Sequence, residues 1–194
     1  MNSREATTVT ILDAAERITQ AVGYNGLSFR DVAAAAGIRS ASVHYHFPTK
    51  GQLGAALARR YADRLVEHLR EAEAQGLDAR QLLEKYVAVF RSNLEHDGKM
   101  CLCGMLAAEI DAIPAEVRAE VRRFIELNVN WLSTVLAKAA SQTAADATSF
   151  RNRAQALFGA LEGAMLVARA MGDVAVFDAI ALELQRAGLM AAHG

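Results

Sequence analysis

The amino-acid sequence predicts an all-α protein with about nine helices. Apolar types make up 53% of the 194 residues and only two residues are proline, which favours a compact helical body. Along the chain, apolar residues recur at intervals of three and four, the spacing of one buried helix face. Glycines and helix-capping residues separate these stretches, and no repeat or low-complexity tract interrupts them.

The first predicted helix runs from about residue 8 to residue 22, and its apolar face includes Ile11, Ala15 and Ile18. Glycines in the segment 23–26 end it. A second helix begins at Ser28, because Ser28 and Asp31 have the spacing of a capping box, and it ends at Gly37.

A short third helix is predicted from Arg39 to His46, and Pro48 prevents it from continuing. Its apolar anchors are Val43 and, just beyond the helix, Phe47. A helix with so few buried positions leaves most of its side chains in water. The segment 28–47 therefore has the pattern of a helix-turn-helix, in which the second helix enters the major groove of DNA.

The remaining helices follow from the same signals. Thr49 and Gln52 form a second capping box for a long linking helix over residues 49–73, and Asp78 with Gln81 caps the next helix. Residues 142–149 are small and polar, which predicts a loop. The further predicted helices lie over residues 79–95, within 100–111, and over 114–140, 150–171 and 174–191.

At residues 28–50 the chain resembles the tetracycline-repressor (TetR) family of bacterial transcriptional regulators. The resemblance rests on Ser28–Ile38 and on Val43-His44-Tyr45-His46-Phe47, followed by Lys50. One departure is His44, which stands where the family usually has an aromatic tyrosine. The resemblance implies a DNA-binding domain over residues 1–50, the linking helix 49–73, and an effector-binding and dimerisation domain over residues 74–194.

Within this framework, Arg39 is the best candidate for a bidentate contact with guanine. Lys50 is expected to bind phosphate, with help from a helix N-terminus. The full set of predicted DNA-binding residues is Ser28, Arg39, Ser40, Ser42, His44, Tyr45, His46, Thr49 and Lys50. A two-fold dimer would place two such helices about 34 to 36 Å apart, or a multiple of that distance, on a palindromic operator.

The resemblance also implies an effector pocket between the later helices. Polar groups on apolar faces, such as Glu109, Asn128 and Glu162, are its most distinctive candidates, and plain core packing is the alternative for the aliphatic members. The predicted lining is Tyr86, Phe90, Cys103, Met105, Glu109, Phe124, Asn128, Trp131, Phe158, Glu162 and Met165.

The helix over residues 150–171 is apolar nearly all round, which predicts that it forms a two-fold dimer surface with the last helix. The alternative is a helix buried within one subunit. The predicted interface residues are Leu157, Ala160, Leu161, Ala164, Ala168, Phe177 and Leu184.

Cys101 and Cys103 suggest two further interpretations. One of them could face the pocket and the other outward, as a sensor of oxidants or electrophiles; two small buried core residues are the alternative. A different class of protein, an all-α peroxidase or reductase using these thiols, would more commonly have Cys-x-x-Cys. The Cys-x-Cys spacing near His96 does not match a recurring zinc site, so no metal and no cofactor are expected.

Charge and hydropathy indicate where the protein works. Residues 1–60 carry seven basic and four acidic residues, a net charge of +3, and the remainder carries 14 and 18, a net charge of −4. This asymmetry suits a DNA-contacting head on an acidic body. No apolar stretch reaches the length of a membrane span and no signal peptide is evident, so a cytoplasmic location is expected.

Overall fold

The computed structural model describes residues 3–95, 98–140 and 147–190. Over these ranges the chain contains nine α-helices and no strand, which confirms the predicted all-α fold class. The helices are α1 (Ser3–Val22), α2 (Phe29–Ala36), α3 (Ser40–His46), α4 (Lys50–Ala74), α5 (Ala79–Glu95), α6 (Leu102–Ala108), α7 (Ala115–Ala139), α8 (Ala147–Met171) and α9 (Val174–Arg186).

Most helix boundaries lie within a residue or two of those predicted, and three ends differ. Helix α1 begins at Ser3 because its threonine hydroxyls donate to carbonyls four residues earlier and so do not stop the helix. Helix α8 begins at Ala147, inside the predicted loop, of which residues 142–146 lie outside the described ranges. Helix α9 ends at Arg186, and the predicted end at residue 191 is also outside them.

The three predicted caps are confirmed. Ser28 Oγ accepts the backbone N–H of Asp31 at 3.2 Å, and Thr49 Oγ1 accepts that of Gln52 at 3.1 Å. The cap at Asp78 and Gln81 is reciprocal, since each side chain accepts the other's backbone N–H, at 2.8 and 2.9 Å. These side chains satisfy amide groups that the first helical turn leaves without partners.

A left-handed residue makes the turn between α2 and α3. Gly37 has φ 67° and ψ 28°, a conformation in which a Cβ would meet the following carbonyl. Its N–H bonds the oxygen of Ala34 at 3.3 Å, and the N–H of Ile38 bonds that of Ala33 at 3.0 Å. This double closure reverses the chain and brings α3 out beside α2.

The chain divides into two compact units, here called unit 1 and unit 2. Unit 1 comprises Met1–Asp63 and Leu102–Phe124, and unit 2 comprises Arg64–Cys101 and Ile125–Gly194. Each unit is therefore built from separate stretches of sequence, whereas the predicted functional division at residues 50 and 74 follows chain order. That division stays a prediction.

Side chains distant in sequence hold unit 1 together. Arg60 pairs with Asp13 and Glu16 of α1, and Arg59 Nε donates to Glu120 of α7 at 3.0 Å. Gly54 lets α4 lie close to the Tyr24 ring, because a Cβ at position 54 would be 2.7 Å from that ring.

In unit 2, helix α8 packs against α9 and α5. Phe177 and the inward residues of α8 are buried there. No helix within the described ranges is both long enough and apolar enough to cross a membrane.

The turn at Gly37 yields a stability prediction. Gly37→Ala should lower the free energy of unfolding by about 1 to 2 kcal/mol, the cost of placing an alanine in the left-handed region. Beyond the neighbouring residues a Cβ at this position would meet no atom within 4 Å, so the loss comes from the local backbone conformation and not from tertiary packing. Denaturant unfolding measures the change. Gly37→Asn is the control and should lose less, because asparagine tolerates this region; equal stability of the glycine and alanine proteins would contradict the prediction.

Candidate functional site

Most of the predicted DNA-binding residues on and beside helix α3 are exposed to water. Val43 is fully buried and Phe47 nearly so, and these two side chains anchor the helix. Tyr45 keeps 68% of its surface exposed. Arg39, Ser40 and His44 are also exposed, while Ser42 and His46 are half-buried. The predicted anchors and the outward face are therefore where the sequence placed them.

A hydrogen bond to α1 orients His46. The hydroxyl of Thr8 donates to the carbonyl of Arg4 at 3.0 Å, and the same oxygen lies 2.9 Å from His46 Nδ1. Because the only hydroxyl proton is directed at Arg4, His46 Nδ1 is assigned as the donor. In the neutral ring, Nε2 is then an acceptor.

Two further ring contacts position side chains on α3. The guanidinium carbon of Arg4 lies 5.4 Å from the centroid of the Tyr45 ring. His44 meets Phe29 of α2 edge to face, with 4.5 Å between ring centroids. Sequence reasoning missed Arg4 as a neighbour of the reading helix, because nothing in the local sequence pairs residues 4 and 45.

Three predicted DNA-binding side chains already have partners within unit 1. The Ser28 and Thr49 hydroxyls cap helices, and the bond from Ser28 lowers the pKa of Asp31. Lys50 Nζ lies 4.4 Å from the Tyr24 ring centroid and 3.5 Å from the carbonyl oxygen of Asn25. Burial lowers the pKa of Lys50, and the charge of Glu109 opposes that shift. A phosphate contact by Lys50 would require it to turn away from Tyr24.

Glu109, predicted to line a pocket, lies against the turn after α1. Its carboxylate accepts the backbone N–H of Asn25 at 2.9 Å. It also fills the space of a side chain at Gly23, where a Cβ would lie 1.9 Å from Oε1. The three helices α1 to α3 are here called the reading head. Within unit 1, Glu109 therefore joins the end of α6 to the turn between α1 and α2 of the reading head.

An aromatic cluster in unit 2 consists of the buried Tyr86 and Phe90 and the half-buried Trp131 and Phe158. The ring of Tyr86 stacks on Trp131 with centroids 5.4 Å apart and lies 5.2 Å from Phe90; Phe90 meets Phe158 at 6.3 Å. The Tyr86 hydroxyl donates to the Asn128 side chain at 2.6 Å. Burial raises the pKa of Tyr86, and Glu162 adds to that shift.

A cavity of about 290 Å³ lies beside this cluster, between α4 and α7 within unit 2. Trp131 forms part of its wall and donates from Nε1 to Glu73 at 3.2 Å. The whole α4 side of this cavity was missed from the sequence, because those side chains belong to a helix interpreted only as a link. The lining residues are Leu65, Val66, Leu69, Arg70, Glu73, Leu127, Asn128, Asn130, Trp131 and Thr134.

Glu162 is the unusual polar group of unit 2. Both of its carboxylate oxygens are buried, and no N–H or O–H group donates to them; the one donor near them is the weak Cys101 thiol. Burial raises its pKa to about 7, against a smaller opposing effect of the nearby Cys101 thiol. A buried carboxylate without a partner is costly to ionise, and such groups are rare in folded proteins.

The other predicted lining residues belong to both units. Met165 is buried in unit 2, and Phe124 and Cys103 are buried in unit 1. Met105 is half-buried, also in unit 1. A single pocket that joins all of the predicted residues stays a prediction.

Both cysteines are free and buried, Cys101 with 2% and Cys103 with 1% of its surface exposed. The expectation that one of them faces outward is therefore wrong. Residues two apart alternate sides only in a regular element, and Cys101 precedes the first residue of α6. The described residues contain no group of three side chains that could hold a metal ion.

The predicted dimer interface needs a correction. Leu157, Leu161, Ala164, Ala168 and Phe177 are buried within the single chain, so they are core residues. Only Ala160 and Leu184 of the predicted set are partly exposed. The sequence showed that α8 is apolar nearly all round, but it lacked a polar stripe that would tell the inner face from the outer one.

The outer face of α8 is also apolar, and here it is called the outer α8 face. It consists of Gly159, Gly163, Leu166, Val167 and Ala170, which recur at helical spacing and are all exposed. Leu166 keeps 61% and Val167 46% of its surface exposed. A side chain at either glycine would extend into open space.

Two protein-family models match separate stretches of this chain. Residues 11–57 match the family model described as bacterial regulatory proteins, tetR family. Residues 76–182 match the model described as tetracyclin repressor-like, C-terminal domain.

Two curated relatives match over part of their length. The chain is 38% identical over 77 residues to the HTH-type transcriptional repressor KstR2 of Rhodococcus jostii, covering 40% of this chain and 38% of that protein. It is 32% identical over 89 residues to the HTH-type transcriptional activator FasR of Mycolicibacterium smegmatis, covering 46% and 41%. The matches thus span about two fifths of either relative.

A solved structure matches nearly the whole chain. The TetR-family transcriptional regulator from Agrobacterium tumefaciens is 32% identical, with a TM-score of 0.87. The superposition covers 95% of this chain and 98% of that one.

The raised pKa of Glu162 predicts that stability falls as the pH rises. The folded carboxyl keeps its proton up to about pH 7, whereas an ordinary glutamate releases it near 4.5. Between these values the folded state binds more protons than the unfolded state, so raising the pH favours unfolding. The loss should be on the order of 3 kcal/mol and complete above pH 7.

Glu162→Gln removes this titration and should flatten the pH dependence, which denaturant unfolding from pH 4 to pH 8 measures. Glu183→Gln is the matched control, because Glu183 is exposed on α9. Identical pH profiles for the wild-type and Glu162→Gln proteins would show that Glu162 titrates normally.

Proposed function

This chain belongs to the TetR family of DNA-binding transcriptional regulators, and from that premise we propose that it is a homodimeric repressor. In this proposal it binds a palindromic operator through α3 and leaves the DNA when a small, partly apolar effector binds in unit 2. The chain is a regulator and not an enzyme, so the interpretation as a cysteine-dependent peroxidase or reductase is wrong.

The observation that carries the proposal is the exposed face of α3 on a buried anchor. A helix in the major groove needs side chains free to meet base edges and a fixed register against the backbone. Arg39 and Tyr45 are exposed, Val43 and Phe47 fix the helix, and the contact with Thr8 holds the His46 ring in place. Arg39 then takes the guanine contact.

The outer α8 face supports a homodimer. Its residues are apolar, exposed and contiguous along one side of the helix, and Met171 continues this side with 69% of its surface exposed. The glycines at 159 and 163 allow a second helix to approach closely. A self-complementary contact of this kind produces two-fold symmetry, which matches a palindromic operator.

Repression is supported by KstR2, a relative named as a repressor, although FasR is named as an activator. The cavity beside the aromatic cluster favours a non-covalent effector. A thiol-reactive signal has less support, because both thiols are buried. A regulator that binds chromosomal DNA acts in the cytoplasm of a bacterium, and this location is part of the proposal.

Removing the Arg39 guanidinium tests the reading head. Arg39→Ala should weaken binding to the specific site by about 1 to 3 kcal/mol and leave non-specific binding closer to intact. Fluorescence anisotropy on labelled DNA from the region upstream of the gene, with a scrambled competitor and a salt series, measures both. Arg80→Ala is the control, because it removes an exposed positive charge on α5. Equal weakening on every DNA sequence would show that Arg39 touches phosphate instead.

A charge on the outer α8 face tests the dimer. Gly163→Glu has room in the single chain, but a carboxylate buried between two apolar helices costs several kcal/mol, and two of them would face each other. The mass measured by sedimentation should fall to that of one chain, and operator binding should weaken with it. Gly163→Ala is the small-residue control. An unchanged mass for Gly163→Glu would place the dimer contact elsewhere.

A further inference from the structure

We propose that Glu162 anchors an effector that carries a protonated amine on an apolar or aromatic body. This inference rests on the proposed function, since it names the chemical class of the effector.

The geometry around Glu162 lacks a partner for its charge. Both carboxylate oxygens are buried and receive no N–H or O–H donor. The described groups that interact with it are Tyr86, whose pKa it raises, and the weak thiol donor Cys101. No described lysine or arginine acts on the pKa of this carboxyl. Its raised pKa has the same cause, namely burial without compensation.

A neighbouring polar pair shows that the same interior can satisfy its polar groups. Tyr86 and Asn128 are both buried, and their side chains bond each other at 2.6 Å. Glu162 therefore remains as the one acidic group of this interior, within the described residues, whose oxygens receive no N–H or O–H donor. A ligand that brings donors and a positive charge removes that deficit, whereas a carboxylate ligand would increase it.

The surrounding rings favour the same class of ligand. Phe158 lies one helical turn before Glu162 on α8, on the same side of the helix. It contacts Phe90, which in turn contacts Tyr86. Aromatic faces attract cations and also bind an apolar body, so an ammonium group beside Glu162 would meet both a carboxylate and π systems.

The chain contains its own reporter for binding. Trp131 is the single tryptophan, and it stacks on Tyr86, the residue on which Glu162 acts. A ligand that binds at Glu162 should change the fluorescence of Trp131. This readout needs no DNA, so the effector class and the operator proposal can fail independently.

The experiment titrates the full-length protein at pH 8 with phenylalkylamines of two to six methylene groups, each paired with the alcohol of the same length. Wild-type protein should bind at least one amine about tenfold or more tightly than its alcohol, as expected for a hydrogen bond to a charged group. Glu162→Gln, which keeps the shape of the side chain, should bind that amine and its alcohol alike. Glu183→Gln should behave as wild type.

The proposal is overturned if wild-type protein binds no amine more tightly than its matched alcohol, or if Glu162→Gln retains the preference. Anisotropy on the upstream DNA, with and without the preferred amine, is measured separately. Loss of DNA binding in the absence of any amine counts against the operator proposal and leaves the result at Glu162 standing. Release of DNA by the amine from wild type but not from Glu162→Gln supports both.

Discussion

The left-handed turn at Gly37 is the constraint on which the reading head depends. A helix as short as α3 is not stable by itself, so its place is set by neighbours. The turn sets the direction in which α3 leaves α2, and Val43 and Phe47 form the buried inner side. The bond between Thr8 and His46 joins α3 to α1. With its inner side occupied in this way, the helix keeps an outer face free for DNA, and the identity of the bases read there is left to a few exposed side chains.

Local signals in the sequence were reliable, and distant contacts were not visible in it. The three caps depend on residues three apart, so Ser28, Thr49 and Asp78 could be assigned from spacing alone. Lys50, by contrast, lies over a ring 26 residues earlier, and Glu109 bonds an amide 84 residues earlier. Neither contact has a periodic signature. The prediction of which face of α8 is exposed was wrong for a related reason, because an almost uniformly apolar helix has no amphipathic stripe.

Unit 2 places two kinds of buried polar group close to one another. The Tyr86 hydroxyl and Asn128 compensate each other, so their burial costs little and fixes the orientation of the ring. Glu162 has no such compensation. An apolar side chain of similar size would make this interior more stable, so the carboxylate is better explained by what it binds than by what it adds to folding.

The discontinuity of unit 1 has a consequence for protein engineering. A regulator with a DNA-binding part and an effector-binding part can be used to build chimaeras. In a chimaera the first part of one chain is joined to the remainder of another, here within the linking helix α4. Here such a junction would separate Asn25 from Glu109 and Arg59 from Glu120, because the partners of the head come from residues 102–124. A graft that is to keep the donor's DNA specificity should therefore carry α6 and the start of α7 along with the first 63 residues, as one spatial module assembled from two pieces of sequence.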